Sequence, residues 1–354
     1  MDAKNLSVAV LMGGRSGEHD VSRASGWAVV TQLPVDGFEA WPVVLGRDGL
    51  WRFPDSDSAD PEVDLGEEEG LALPEGIRRL LDRAPDVVFI AMHGPEGEDG
   101  KIQSLLDLLG VPYVGSDAYA SSLAMNKPLT KAVYRAHDLP VADDETLHRA
   151  DWARDPTAVE AALRARFAPP WVLKTPKLGS SVGLSIVSED GDLAGELGRL
   201  FGLDALLLAE EFVAGRELTC AVLDTPALGP TRPLPILEII PVESPYFDYH
   251  AKYTPGAAQE ICPADVEDAV RDRAQDLAMA AHRILGCRSM SRTDFILTPD
   301  GGLVTLETNT IPGLTRTSLL PQQAAAAGLS FADLVAGLTR GAYESSVNSG
   351  KATP

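Results

Sequence analysis

Short apolar runs that end in glycine alternate with amphipathic segments along the first third of the chain. LSVAVLMGG (6–14), FEAWPVVLG (38–46) and PDVVFIAMHG (85–94) predict buried strands, and residues 22–33 and 100–110 have the periodicity of helices. Strands and helices that alternate through short glycine turns indicate a parallel α/β domain. Ligands bind such sheets at the carboxyl ends of the strands, which here carry the polar turns GGRSGEHD and HGPEGEDG.

Two mixed segments of helix and strand follow. One contains a helical stretch that ends before Pro140, a strand at 169–176 and the glycine-serine loop KLGSSVG. The other combines four predicted strands with a long helix at 265–285. The sequence therefore divides into three segments and a short tail, with the limits 1–115, 116–211, 212–345 and 346–354.

A hairpin is predicted at SRTDFILTPDGGLVTLETN (291–309), because PDGG is a strong turn signal between two apolar runs. With the turn centred on its Asp-Gly pair, Asp294 lies opposite Glu307. Arg292 then lies opposite Asn309. Since side chains alternate between the two faces of a strand, these four residues share one face. The other face is predicted to be core, formed by Phe295, Leu297, Val304 and Leu306.

Two carboxylates and one amide oxygen on the polar face of the hairpin form a candidate metal site. Oxygen ligands suit a hard cation such as Mg²⁺, which completes its coordination with water and with phosphate groups. The histidines and cysteines of the chain are not clustered as zinc ligands. The alternative interpretation is a surface ion pair between Arg292 and the two acids.

Basic and small residues in the second segment predict a phosphate-binding site. Backbone N–H groups of the loop KLGSSVG (177–183) can face an anion, and Lys174 and Lys127 are suitable cations. Neither GxxxxGK[ST] nor a strand-linked GxGxxG is present, which disfavours a P-loop or Rossmann site. The strand end LAEEFVAGRE (208–217) could bind an adenine edge, with Glu217 at the ribose. A plain surface loop and an ordinary strand turn are the alternatives.

The composition narrows the choice of partners and compartment. A formal net charge of −22 disfavours nucleic acid and anionic membranes, which both need a basic surface. No apolar run is long enough to span a bilayer, and the N-terminus lacks the features of a signal peptide. Cys220, Cys262 and Cys287 are widely spaced and are predicted to be buried thiols in a reducing cytosol. A cytoplasmic protein is therefore expected.

Eight longer runs carry a resemblance to a known family. In chain order they are GGRSGEHDVSRASG (13–26), HGPEGEDGKIQSLLDLLGVPYVGS (93–116), AMNK (124–127), GSSVG (179–183), EEFVAGRELT (210–219), YFDYHAKY (246–253), RTDF (292–295) and ETNTIPGLTRTSLLPQQAAAAG (307–328). Together they resemble the D-alanine–D-alanine ligases, which have the α/β three-domain ATP-grasp fold. The resemblance implies that two D-alanines are joined through a D-alanyl phosphate, for peptidoglycan synthesis. It also implies ATP, two Mg²⁺ ions that Mn²⁺ could replace, and a homodimer.

The resemblance assigns nucleotide and metal roles to the residues that match its motifs. Those implied to bind Mg²⁺ are Asp294, Glu307 and Asn309. Those implied to contact ATP are Lys127 and Lys174 at the phosphates, Glu210 and Glu217 at the adenine and ribose, and Lys252 on a loop over the phosphates. That loop, 244–260, is expected to be a mobile lid that keeps water from an acyl phosphate.

The resemblance assigns the first D-alanine to Glu18, whose carboxylate would hold the substrate ammonium. Glu18 is also implied to form a hydrogen-bonded trio with Ser180 and Tyr253 that orients the substrates. The structural alternatives are a helix N-terminal acid for Glu18 and a packing aromatic for Tyr253. His93 is predicted to brace the turn beside the site.

The remaining implied roles concern the reacting carbonyl and the second D-alanine. Arg292 and the backbone N–H of Gly313 would stabilise the oxyanion of a tetrahedral intermediate. Ser318 and the backbone N–H of Leu319 would hold the second carboxylate. A helix N-cap is the structural alternative for Ser318.

Several positions depart from the family pattern, namely Asn126, Thr175, Leu178, Phe247, Arg316 and Thr317. These departures leave open a D-serine acceptor, a less favoured D-lactate acceptor, or a dipeptide ligase of secondary metabolism. A nucleotide-binding regulatory protein without activity is disfavoured, because every implied ligand is present. A carboxylating enzyme of the same fold is disfavoured too, because nothing in the sequence indicates a bicarbonate site or a biotinyl partner.

Overall fold

The computed structural model describes residues 5–34, 37–54, 70–176, 183–242 and 256–349. Several sequence predictions fall outside the described residues: those for Ser180, Lys252 and Tyr253, for Leu178 and Phe247, and for most of the lid at 244–260.

A mostly parallel sheet forms the N-terminal part of the molecule, as the alternating pattern predicts. Its strands are β1 (Leu6–Gly13), β2 (Phe38–Leu45), β3 (Trp51–Arg52), β4 (Val87–Ile90) and β5 (Tyr113–Val114), and its helices are α1 (His19–Gln32), α2 (Leu73–Asp82) and α3 (Lys101–Leu109). The strand order is β3-β2-β1-β4-β5, in which β3 is antiparallel to β2. Alternate residues of β1 enter two separate cores, which explains why the whole strand is apolar.

An antiparallel sheet with the order β6-β9-β7-β8 occupies the middle of the chain. Its elements are α4 (Ala118–Met125), α5 (Lys127–Ala136), β6 (Asp144–His148), α6 (Arg149–Arg154), α7 (Pro156–Arg166), β7 (Trp171–Lys174), β8 (Leu184–Val187), α8 (Leu193–Phe201) and β9 (Leu206–Glu211). The sequence predicted one helical stretch before Pro140, but the structure has two helices. Asn126 adopts non-helical angles (φ −94°, ψ 86°) and caps α5 by accepting a hydrogen bond from the N–H of Leu129.

A second antiparallel sheet forms the C-terminal part. Its elements are β10 (Arg216–Asp224), β11 (Arg232–Pro233), β12 (Leu237–Pro241), β13 (Ala258–Ile261), α9 (Asp268–Ile284), β14 (Ser289–Leu297), β15 (Leu303–Asn309), α10 (Leu319–Ala326) and α11 (Phe331–Asn348). The order is β13-β12-β10-β14-β15, and β11 also pairs with β10. None of the described helices is long and apolar enough to cross a membrane.

The β14–β15 hairpin has the predicted register at its polar end and a bulge beyond it. Asp294 pairs with Glu307 and Arg292 pairs with Asn309, but Phe295 pairs with Thr305, so Leu306 is an extra residue. The bulge makes the predicted core face wrong for β15. Phe295, Leu297 and Leu303 lie in the core, whereas Val304 and Leu306 are only partly buried.

The two ends of the chain share one core. Val8 and Met12 of the N-terminal sheet belong to the same apolar cluster as Leu314 from the loop after β15, Leu320 from α10 and Leu334 from α11. The N-terminal sheet therefore packs directly on C-terminal segments, and α11 continues to Asn348, beyond the limit of 345 inferred from the sequence. This packing brings the start of α1 next to the end of β15.

Candidate active site

A cleft of about 470 Å³ lies between the N-terminal and C-terminal sheets, beside the junction of α4 and α5. Eight residues to which the family resemblance assigned a role line it, as does His93. The eight are Glu18, Lys127, Arg292, Glu307, Asn309, Gly313, Ser318 and Leu319. They come from the start of α1, the start of α5, β14, β15 and the segment that leads into α10. The fold thus gathers into one space residues that the sequence scatters over most of the chain.

Arg292 and Asp294 form a bidentate ion pair on the face of β14. The Nε and Nη2 atoms of Arg292 each donate to one oxygen of Asp294 at 2.9 Å. Asp294 also accepts a hydrogen bond from Thr219 Oγ1 at 2.6 Å. Burial opposes the charge of the guanidinium, but the carboxylate of Asp294 outweighs it and raises the pKa of Arg292. This pair is buried, not a surface ion pair.

Lys127 and Asn309 complete the polar face of the hairpin. Lys127 Nζ lies 3.1 Å from Glu307 Oε2, and its side chain is 13% exposed. The side-chain oxygen of Asn309 accepts a hydrogen bond from the N–H of Ile311 at 2.9 Å, which fixes the turn after β15. Among the described residues, no group of three or more His, Cys, Asp or Glu side chains could hold a metal ion. The predicted set of two carboxylates and one amide oxygen fits a cation that takes further ligands from phosphate.

Lys174 and Glu210 meet in the middle sheet, beside the start of α5. Lys174 Nζ forms a very short ion pair with Glu210 Oε2, and the N–H of Lys127 donates to the carbonyl of Pro176 at 3.4 Å. Burial opposes the charge of Glu210, but Lys174 and Lys131 hold the pKa of this carboxyl below its usual value. Glu217 is also close enough to favour the charged form of Lys174. Lys174, Glu210 and Glu217 lie beside the cleft and do not line it.

Lys131 is a charged residue of this region that sequence reasoning missed. Its side chain is 2% exposed, and its ammonium lies 2.5 Å from Glu210 Oε1. The available signal was its position four residues after Lys127, which places both lysines on one face of a helix.

Glu18 stands at the N-cap position of α1, as the structural alternative supposed, and it also lines the cleft. The turn that contains Gly94 passes so close that a Cβ there would lie 2.5 Å from Glu18 Oε2. Gly94 also has a φ of +73°, so this turn requires glycine on both counts.

His93 joins the N-terminal sheet to the loop after β15. Its Nδ1 lies 3.1 Å from the carbonyl oxygen of Ile311, and its Nε2 lies 2.8 Å from Ser25 Oγ. The acid Glu98, which the sequence did not single out, lies 3.6 Å from the same Nδ1. Burial lowers the pKa of His93, but the carboxylates of Glu98 and Glu18 outweigh it, so the net pKa is raised. The predicted bracing role therefore has a definite partner.

Gly313 and Ser318 pack against each other at the C-terminal wall of the cleft. A Cβ on Gly313 would lie 2.8 Å from Ser318 Oγ, so glycine allows this approach. Ser318 is the N-cap residue of α10, but its hydroxyl oxygen accepts a hydrogen bond from the N–H of Thr315 at 3.1 Å. Glu260, a further residue that sequence reasoning missed, lines the same wall and is bonded to Gln322.

Comparison with known proteins agrees with this fold and cleft. The family described as "D-ala D-ala ligase N-terminus" matches residues 7–116, and "D-ala D-ala ligase C-terminus" matches residues 133–340. The D-alanine–D-alanine ligase of Desulfotalea psychrophila is 40% identical, over 94% of this chain and 94% of the relative. That of Ruegeria pomeroyi is 42% identical, with 94% of both chains covered.

Two solved structures have the same fold. The D-alanine–D-alanine ligase from Coxiella burnetii has a TM-score of 0.78 and 30% identity, over 99% of this chain and 97% of that chain. The VanG D-Ala:D-Ser ligase from Enterococcus faecalis has a TM-score of 0.79 and 28% identity, over 96% and 100%. Fold and cleft together define a ligase of the ATP-grasp class. The chain belongs to the D-alanine–D-alanine ligase family.

Proposed function

We propose that this protein joins two D-alanines to D-alanyl-D-alanine in a reaction that uses ATP and Mg²⁺. The observation that carries the proposal is the cleft itself. It combines the Arg292, Glu307 and Asn309 face of the hairpin and Lys127 with Glu18, Gly313 and Ser318. Acidic, cationic and hydroxyl groups around one space suit a reaction between an anionic nucleotide and two zwitterions.

The nucleotide would lie against the middle and C-terminal sheets. Lys127 and Lys174 would bind its phosphates, and Glu210 and Glu217 would contact the adenine and ribose. Asp294, Glu307 and Asn309 would hold Mg²⁺, which neutralises phosphate charge when bound with ATP. In the structure Asp294 is paired with Arg292, and Glu307 is paired with Lys127. Each carboxylate of the predicted metal site therefore has a cation of the chain beside it.

The first D-alanine would bind with its ammonium at Glu18 and its carboxylate directed to the phosphates. That carboxylate attacks the terminal phosphorus of ATP and displaces ADP, which gives D-alanyl phosphate. The amino group of the second D-alanine, after losing a proton, then attacks the carbonyl carbon and displaces phosphate. Ser318 and the N–H of Leu319 would hold the second carboxylate.

Arg292 would stabilise the negative charge that develops on the reacting carbonyl, together with the N–H of Gly313. A guanidinium has five N–H donors, and Asp294 occupies two of those of Arg292. The other donors can therefore face the cleft while the bidentate pair fixes the orientation of the side chain. Such fixed donors need no rearrangement when the charge appears.

The experiment is an assay of ADP release with ATP, Mg²⁺ and D-alanine, with the product identified by mass. We expect D-alanyl-D-alanine as the main product at neutral pH. Parallel assays add D-serine or D-lactate as acceptor. A main product that contains either of them, or no ADP release with any D-amino acid, would contradict the proposed substrate.

Other expectations are part of the same proposal. The product would serve peptidoglycan synthesis in the cytoplasm. Each chain would have three domains with the limits 1–115, 116–211 and 212–345. Two chains would form a homodimer. Light scattering of the purified protein measures the oligomeric state directly, and a mass of one chain at assay concentrations would contradict the dimer.

A further inference from the structure

Five charged side chains form a buried cluster behind the predicted phosphate site. We call it the Glu210 cluster, and its members are Lys131, Arg135, Asp144, Lys174 and Glu210. The two oxygens of Glu210 are divided between two lysines, Lys131 on one and Lys174 on the other. Asp144 lies 3.5 Å from Lys131 Nζ and also pairs with Arg135.

The strand register explains why these groups meet. Asp144 on β6 is directly opposite Glu210 on β9, so both side chains project from the same face of the sheet. Lys174 on β7 is opposite Leu208, two residues from Glu210, and shares that face. Lys131 extends from α5 to the carboxylates on this face.

The two lysines that share Glu210 differ in exposure, and Arg135, at the Asp144 side of the cluster, is 42% exposed. The side chain of Lys131 is 2% exposed and that of Glu210 is 5% exposed, but that of Lys174 is 16% exposed. Lys174 is therefore the outer of the two lysines that share Glu210. Lys131 is too buried to reach a nucleotide, and it contacts the outer lysine only through the carboxylate between them.

We propose that Lys131 is a positioning residue for the nucleotide phosphates: by holding one oxygen of Glu210, it limits the pull of this carboxylate on Lys174. The inference rests on the proposed function, in which Lys174 binds the phosphates of ATP. Without Lys131, Lys174 is the lysine that remains to pair with Glu210, and it is attracted by both carboxylate oxygens. The ammonium is then drawn towards the carboxylate and away from a phosphate that competes for it.

The charges of the cluster support this role over simple support of the fold. Arg135 is taken up by Asp144, so the two lysines are the cations that share Glu210. A lysine needed only to neutralise Glu210 would be redundant, because Lys174 already does so. Burial lowers the pKa of Lys131, so its charge at this depth depends on the two carboxylates beside it.

The test compares Lys131→Met with Arg135→Met in the full-length protein. Both changes remove one cation from the same helix, but Arg135 contacts Asp144 and not Glu210. We expect Lys131→Met to raise KM for ATP about tenfold, because Lys131 acts on the phosphates only through Glu210 and Lys174 and not by a direct contact. KM for D-alanine and kcat should change less than threefold. Arg135→Met should leave both KM values within twofold.

A double-variant cycle separates positioning from fold support. In the Glu210→Gln variant, no carboxylate attracts Lys174 from this position. Adding Lys131→Met to that variant should therefore change KM for ATP at least threefold less than adding it to the wild type. Affinity for adenosine, which has no phosphates, should change at least threefold less than affinity for ATP in Lys131→Met. Thermal unfolding of each variant monitors the fold, and Lys131→Gln replaces the methionine variant if that variant does not fold.

The outcomes for this inference and for the proposed function are distinct. A wild-type protein that releases no ADP with ATP and D-alanine would contradict the proposed function. An active wild type whose KM for ATP is unchanged by Lys131→Met would overturn the inference alone. So would an equal loss of affinity for adenosine and ATP, or an equal effect of Lys131→Met with and without Glu210.

Discussion

At the scale of single residues, the cleft is organised by pairs of opposite charge. Asp294 is held by Arg292, and Glu307 is held by Lys127. A buried charge is costly unless it is paired and hydrogen-bonded. Both acids predicted to bind the metal therefore have a structural partner, and a substitution in either partner is expected to affect both geometry and chemistry.

Replacement of Arg292 tests the proposed oxyanion role. Arg292→Lys keeps the charge but loses the planar fork that binds Asp294 and the donors that remain for substrate. We expect kcat to fall about 10²-fold, as when an oxyanion donor is removed, while KM for ATP changes little. Arg271→Lys is the control, because Arg271 makes a surface ion pair with Asp268. Similar losses in both variants, or an unchanged kcat for Arg292→Lys, would contradict the role.

His93 gives the folded state a pH dependence with a definite sign. Its folded-state pKa is raised by Glu98 and Glu18 in spite of burial, so the native state binds the proton more tightly than the unfolded chain does. The stabilisation is complete below the unfolded pKa of about 6.5 and is lost as pH rises through the folded pKa. Burial also raises the pKa of Glu98, which acts in the same direction.

We therefore expect the midpoint of thermal unfolding to fall as pH is raised from about 6 to about 8.5. His93→Asn should lower the midpoint and flatten this dependence. His137→Asn, at an exposed position, should leave the slope as in the wild type. The slope of the wild type minus that of His93→Asn isolates this histidine, and an unchanged slope in His93→Asn would refute the assignment.

At the scale of elements, helix and strand boundaries place the functional groups. Asn126 ends α4 and caps α5, so that Lys127 is the first residue of the second helix. The bulge at Leu306 has a comparable effect in β15, because it keeps Glu307 opposite Asp294 while Leu303 still reaches the core. Both irregularities stand directly beside a residue of the cleft.

The cap at Asn126 can be tested by stability and affinity together. Asn126→Ala should reduce the free energy of unfolding by about 1 kcal/mol and raise KM for ATP, because Lys127 loses its fixed position. Asn126→Asp should restore both. Asp155→Ala removes the cap of α7, where Asp155 binds the N–H of Ala158, and should cost similar stability without an effect on KM. Urea unfolding and steady-state kinetics measure the two quantities, and a KM change in Asp155→Ala would exclude this explanation.

At the scale of the whole molecule, α11 connects the two ends of the chain. It packs on the N-terminal sheet through Leu334 and Leu338. Its glycines, Gly337 and Gly341, leave room for the segment that follows β10. A Cβ on Gly337 would lie 2.2 Å from Leu228, and one on Gly341 would lie 1.5 Å from Thr225 Oγ1. The helix thereby packs on the N-terminal sheet and, through its glycines, on the segment after β10.

Gly341→Ala should therefore destabilise the protein by about 1–3 kcal/mol, although alanine favours helices, because overpacking outweighs propensity. Gly198→Ala in α8 is the matched control, since the nearest atom to its Cβ would be 4.0 Å away. That change should stabilise by about 0.5–1 kcal/mol. The measurement is chemical unfolding of both variants. A stabilised Gly341→Ala protein would contradict the packing.

The sequence by itself determined the features that depend on neighbours along the chain. Apolar period and glycine turns predicted the parallel sheet, and the PDGG turn predicted the hairpin, because turns are set locally. The pairing of Asp294 with Glu307 agrees with that prediction only because the bulge at Leu306 offsets a register that differs by one residue next to the turn. Only the tertiary structure decided which distant groups meet. His93 bonds to Ile311 across 218 residues, and Lys131 finds Glu210 across 79. Such contacts depend on how sheets and helices pack, and no periodicity in the sequence encodes them.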